Sequence, residues 1–130
     1  MTGDPDAALP VVLAGLAARH TGTLGVAAHD LAAGGVEAVL AGQQHLDQVP
    51  RHLRVQPYAL DLGRAPEITV AHRTGFLTGT RADTGIVRLR DRAGFTYAVF
   101  HHGSADERFL PESEGPVLAG PVGKALVEHW

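Results

Sequence analysis

His72, Arg73 and Thr74 stand side by side, followed by Gly75 and Phe76, in a stretch where β-branched residues alternate. An arginine can grip a carboxylate through two parallel N–H···O bonds, but an Arg-Thr-Gly triplet taken alone is more often structural than ligand-binding. His101 and His102 supply two more imidazoles. Histidine gains and loses its proton near neutral pH, which makes His72, His101 and His102 candidate catalytic residues. Neighbours on a strand point to opposite faces, so His101 and His102 cannot chelate one ion together. With no spaced His or carboxylate motif beside them, no metal is expected. Nor does any motif imply a cofactor.

The inventory of nucleophiles is short. The only serines are Ser104 and Ser113, followed three positions later by Glu107 and Pro116, and Lys124 is the only lysine against ten arginines. A serine hydroxyl attacks only when a neighbouring base takes its proton; no serine–lysine pair of that kind can be read. Cysteine is absent, which excludes disulfides, thiolate metal sites and a Cys nucleophile.

The elements that would hold these residues belong to one domain of 130 residues. With 45% apolar and 19% charged residues the chain can bury a core. A net charge of −3 with 5% aromatics gives neither a basic field nor stacking groups for nucleic acid. The longest apolar run, Leu9 to Ala18, is too short to span a bilayer, and Asp4 and Asp6 stand where a signal peptide carries positive charge. A cytoplasmic chain is the expectation.

Leu9, Val12, Leu13, Leu16 and Ala17 recur at helical spacing within residues 7–20, and Leu24, Val26 and Ala28 alternate in a first strand over 23–31. Val36 to Leu46 fits a helix that Pro50 stops, and an irregular connection over 51–66 packs through Leu53, Val55, Tyr58 and Leu60. Ile68–Thr74, Asp83–Arg90 and Phe95–His101 make a three-stranded antiparallel meander, its first link a Gly-rich loop and its second the turn over 91–94. Glu112 and Ser113 open a closing helix that runs to Trp130, kinked or split by Pro121. Asp83 is expected to make a surface pair with Arg81, Arg88, Arg90 and Arg92 a solvated hairpin with Asp91, and His45 and His52 surface turns.

Val70 to Phe76, with Arg73-Thr74-Gly75 at its centre, followed by Gly79 to Val87, resembles the third and fourth strands of the β-lactamase and penicillin-binding serine hydrolases. Their signature there is Lys-Thr-Gly. The similarity continues through Phe95 to Phe100 and Val117 to Trp130, and backwards through Leu40 to Gln44, Pro50 to Leu53 and Gly22 to Leu31. It implies an α+β domain: an antiparallel sheet of four to five strands with N- and C-terminal helices on one face. In that family the sheet order is second, first, fifth, fourth, third strand. A helical domain that supplies Ser-x-x-Lys, Ser-Asp-Asn and the deacylating glutamate is inserted in the chain. Here Gly34-Gly35 runs straight into Val36, an apparent internal deletion near 34–36.

By this resemblance Arg73 and Thr74 would bind the ligand carboxylate, Gly75 would let it approach, and the Phe76 N–H would give half of an oxyanion hole. Losing one donor of two typically removes roughly 2.7–4 kcal/mol of transition-state stabilisation. Arginine also lacks the titratable amine that lysine would offer to proton transfer. Three functions follow as expectations. The first is a non-hydrolytic binding or assembly module with a remnant carboxylate-binding strand. The second is an enzyme using His/Arg acid–base chemistry on a carboxylate-bearing molecule, or one whose site another chain completes. The third is an internally deleted or designed form of a hydrolase. Without its second strand, the first strand would be an open edge, through which a homo-oligomer or a second protein chain would assemble.

Overall fold

The computed structural model describes residues 5–30, 48–53 and 68–130. Two α-helices, α1 (Pro5–Ala18) and α2 (Glu114–His129), and a short 3-10 helix, η1 (Val49–His52), accompany four strands: β1 (Thr23–Asp30), β2 (Ile68–Leu77), β3 (Thr80–Leu89) and β4 (Arg92–His102). All neighbours in the sheet are antiparallel, in the order β1-β4-β3-β2. The α+β architecture and the meander are therefore as the sequence implies, with β1 brought beside β4 across the chain. The expected helix over 36–46, the apparent deletion near 34–36, His45, and most of the 51–66 connection with Val55, Tyr58 and Leu60 lie outside the described residues.

Alternation decides which side of the sheet is buried. Leu24, Val26 and Ala28 of β1 lie half-buried among exposed neighbours. They pack beside Val70, Val87, Leu89, Phe95, Tyr97 and Val99 against Leu118, Ala119, Val122 and Leu126 of α2 and Val49 and Leu53 of η1. Leu9, Leu13 and Leu16 of α1 join the same cluster, so the helices share one face. η1 approaches α2 at Gly123, where a Cβ would come 2.3 Å from the Val49 carbonyl oxygen. Trp130 fastens the end of α2 to the sheet by stacking on Phe95, centroids 4.8 Å apart, while its indole N–H donates to Asp30 at 2.8 Å.

Three local expectations change. The link after Thr74 is not a long loop: β2 continues to Leu77 and β3 starts at Thr80, leaving Thr78-Gly79 as a tight hairpin turn. Gly79 sits there at φ +65°, a conformation that side chains with a Cβ disfavour. The next hairpin is tighter too, with Arg90-Asp91 at its tip. α2 runs unbroken through Pro121; the ring removes one intrahelical donor, and burial of Leu118, Val122 and Leu126 around it keeps the helix whole. Ser113 precedes α2 as expected, but its hydroxyl donates to the Arg108 carbonyl at 2.8 Å and makes no capping bond to the helix.

Candidate ligand-binding strand

Consecutive residues of β2 face opposite sides, and this separates the chemistry of His72 from that of Arg73. His72 is 1% exposed and its Nδ1 lies 2.7 Å from Asp83 Oδ1. The same Asp83 oxygen accepts the Tyr97 hydroxyl at 3.1 Å, and its partner oxygen accepts the Val49 N–H at 3.1 Å. The expected surface pair of Asp83 with Arg81 is therefore absent. Both residues are buried, and Asp83 serves as an internal acceptor joining sheet and η1. Burial pushes the Asp83 carboxyl up, opposed by His72, the Val49 N–H and Tyr97. The same burial, together with the Asp83 charge, pushes the Tyr97 hydroxyl up.

A glycine makes this network possible. Register sets Gly85 between His72 on one side and Tyr97 on the other, and a Cβ on it would lie 2.4 Å from the Ala71 carbonyl oxygen and 2.6 Å from His72 Cβ. The gap leaves room for both neighbours to lean towards Asp83, two residues along β3. The Val49 N–H and the Tyr97 hydroxyl donate to this buried carboxyl, and His72 Nδ1 lies against it. The His72 Nε2 is buried without a partner.

Arg81 is used structurally. Its guanidinium donates to the carbonyls of Leu77 at 3.3 Å, Thr80 at 2.9 Å and Arg108 at 2.8 Å. It also lies 5.5 Å from the Phe76 ring and 5.2 Å from that of Phe109, a cation–π arrangement that ties the β2–β3 turn to the loop before α2. Phe76, 63% exposed, meets Phe109 edge to face at 5.8 Å.

Arg73 is exposed on the other side of β2, and no described residue hydrogen bonds to or pairs with its guanidinium. Thr74 and Gly75 follow it, half-buried, on a strand whose only described neighbour is β3. Among the described residues, then, this cation has no partner and its strand has one neighbour. The histidines do not gather around it. His101 is 3% exposed on the helix-facing side, its Nε2–H donating to the Thr21 carbonyl at 2.6 Å. His102 is exposed on the opposite face, four residues along β4 from Ala98, which is level with Thr84 and Arg73. Among the described residues no group of three or more His, Asp or Glu could hold a metal ion, and no helix is long and apolar enough to cross a membrane.

Sequence reasoning missed Asp83 and Glu114, the two carboxylates that organise the interior. Glu114, in the first turn of α2, accepts from the Thr21 N–H at 3.1 Å, from the Thr21 hydroxyl, and from the Ser104 hydroxyl at 2.8 Å. Those hydrogen bonds, aided by His101 nearby, outweigh the opposing effect of burial and hold its carboxyl below the ordinary range. A register signal existed for Asp83. Once the turn is placed at Thr78-Gly79, Asp83 falls diagonally across from His72 on the same face.

Among the described residues, then, a four-stranded antiparallel sheet carries both α-helices on one face and a basic-hydroxyl-glycine triplet on a strand with one described neighbour. The model of the β-lactamase enzyme family, Beta-lactamase2, matches residues 36–130, and the chain belongs to that family. No curated protein matches. Among solved structures the chain is similar to a β-lactamase from Sphaerobacter thermophilus DSM 20745, at 22% identity and TM-score 0.54, covering 72% of this chain and 30% of that one. It is also similar to PBP-A, at 17% identity and TM-score 0.51, covering 72% and 29%. These likenesses concern the fold, and this chain spans about a third of either structure's length.

Proposed function

We propose that this chain is a binding and assembly module of the β-lactamase enzyme family, which takes a small carboxylate ligand on β2 and does not hydrolyse it unaided. In this reading Arg73 clamps the carboxylate from the exposed face of β2, Gly75 admits the ligand to the strand and the Phe76 N–H faces its carbonyl, while Thr74, which alternation turns to the His72 side opposite Asp83, is not a direct ligand. The observation that carries the non-hydrolytic part is where the serines and the lysine lie. The Ser104 hydroxyl already donates to Glu114, that of Ser113 to a backbone carbonyl, and Lys124 is exposed on α2 with Glu128 at 3.8 Å. None of these is a hydroxyl held against a free base.

Assembly rests on the β1 edge. Its eight residues pair with β4 in unbroken register and include no lysine, arginine or proline, the devices that ordinarily blunt an exposed edge. A second copy of this chain, or another protein chain, supplies the next strand. Light scattering at micromolar concentration tests this. The expected result is a dimer or larger species that Ala27→Lys converts to monomer; a strict monomer for the unaltered chain contradicts it.

A second reading, an active hydrolase whose site another chain completes, is favoured by the 30% share of the Sphaerobacter thermophilus structure that this chain covers. One assay separates the two. With a chromogenic β-lactam and penicillin G, the purified chain should show neither turnover nor an acyl adduct by intact mass. Turnover or a stable adduct overturns the non-hydrolytic reading.

A further inference from the structure

The polar contacts around Glu114 hold together segments that are far apart in sequence. Thr21, in the turn between α1 and β1, gives Glu114 both its N–H and its hydroxyl. The same hydroxyl accepts the Ala105 N–H at 2.8 Å, and the Thr21 carbonyl accepts His101. Ser104, past the end of β4, gives Glu114 its hydroxyl and accepts the Asp106 N–H at 3.0 Å. The titratable groups facing Glu114 come from every element around it. They are His20 on the α1–β1 turn, Nδ1 at 3.7 Å; His101 on β4, Nε2 at 3.8 Å; and Asp106, which accepts the Glu114 N–H at 3.1 Å and is itself paired with Arg108 at 2.7 Å.

Elsewhere the α1–β1 unit is held by the β4 ladder and by the apolar contacts of Leu9, Leu13, Leu16, Leu24, Val26 and Ala28. Val11 and Val12 of α1 are 73% and 47% exposed. β1 has a described strand neighbour on one side only. Besides the ladder to β4 and the apolar contacts of α1, its described polar fastenings are the Glu114 cluster at the start of β1 and the Trp130–Asp30 bond at its end.

We propose that Glu114 is an acid-sensitive latch that closes residues 5–30 onto the rest of the sheet, so that protonating it lets α1 and β1 open as one unit and uncovers the edge of β4. All three donors share one oxygen, Oε1; protonation on Oε2 removes the charge that strengthens those three bonds and ends the attraction between the carboxylate and the His20 ring facing Oε2. Protonating His20 or His101 works the other way and pulls on the carboxylate while it stays ionised. For His101, however, the second ring nitrogen is buried without an acceptor, which limits that gain. Opening of this kind is sub-global: it removes the hydrogen bonds of β1 while β2 and β3 stay paired. It is independent of ligand binding on β2 and bears on which strand edge is offered for assembly.

Hydrogen exchange read by mass spectrometry, corrected for intrinsic rates, tests the latch on the whole chain. At pH 7, Glu114→Gln should speed exchange over 23–30 and 95–102 by about tenfold or more, with the β2–β3 peptides over 68–89 unchanged. The unaltered chain should show the same pattern as pH falls below the ordinary glutamate value of 4.5 and through the lower folded one. A double variant, Thr21→Val with Ser104→Ala, keeps the carboxylate and removes donors to it; its opening should begin at higher pH. Exchange that rises uniformly along the chain, or that does not change in either variant, overturns the latch. If Glu114→Gln does not fold, the double variant and the acid series must show the same localised opening, and a uniform or unchanged pattern in them overturns the latch equally.

Discussion

His72 and Arg73 are adjacent in the chain and opposite in fate. His72 lies under the helices with its Nδ1 bonded to a buried aspartate, while Arg73 stands in solvent with no described partner. The sheet divides its work in the same way: the helix-facing side spends most of its polar groups on one another, leaving His72 Nε2 and His101 Nδ1 without partners, and on the other side Arg73 has no described partner. Buried polar groups lose hydration and must find partners; a cation in water need not. The histidines at 72 and 101 are therefore buried on the helix-facing side, and the arginine that resembles a ligand-binding residue is exposed with no partner among the described residues.

The strongest way to break this contrast is at Asp83. Asp83→Ala leaves the Val49 N–H, the Tyr97 hydroxyl and His72 Nδ1 without their acceptor, and should cost about 3–5 kcal/mol by urea denaturation. A loss below about 1 kcal/mol would mean that the buried network is not what joins η1 to the sheet. Gly85→Ala presses a methyl against the Ala71 carbonyl and His72, and should cost about 1–3 kcal/mol in the same assay.

The two internal carboxylates should give opposite pH signatures. Glu114 has a lowered folded value, so its contribution is complete above the ordinary 4.5 and is lost as pH falls through the folded value. Asp83 has a raised one, so its contribution is largest below 3.8 and declines as pH rises towards the folded value. Stability measured from about pH 2 to 7 should therefore lose a rising component in Glu114→Gln and a falling one in Asp83→Asn. The smallest effect belongs to the exposed face of β2. Arg73→Ala should leave stability within about 0.5 kcal/mol, since its exposed side chain has no partner among the described residues.

Much of this contrast is legible in the sequence, and the reasons are local. Alternation in 23–30 and 68–77 marks the strands, and β-branched residues with close turns mark the meander. The Arg73-Thr74-Gly75 triplet carries the resemblance. Asp83 escapes such reading because its character depends on the register across a turn, and the Gly-rich stretch 75–82 gives no unique position for that turn. Glu114 is hidden for another reason: its partners Thr21 and Ser104 are 93 and 10 residues away, a juxtaposition that only the β1–β4 pairing creates. Pro121 shows the limit of local rules, since burial of the residues around it outweighs its preference to break a helix.

The central claim, that Arg73 on the open strand is a carboxylate-binding residue, is tested most directly by following backbone amides by NMR while titrating penicillin G into the unaltered chain and Arg73→Ala. The expected result is a set of shifts concentrated at residues 73–77, absent in the variant, with the protein mass unchanged throughout. Shifts that persist in Arg73→Ala, or none in either protein, would contradict it.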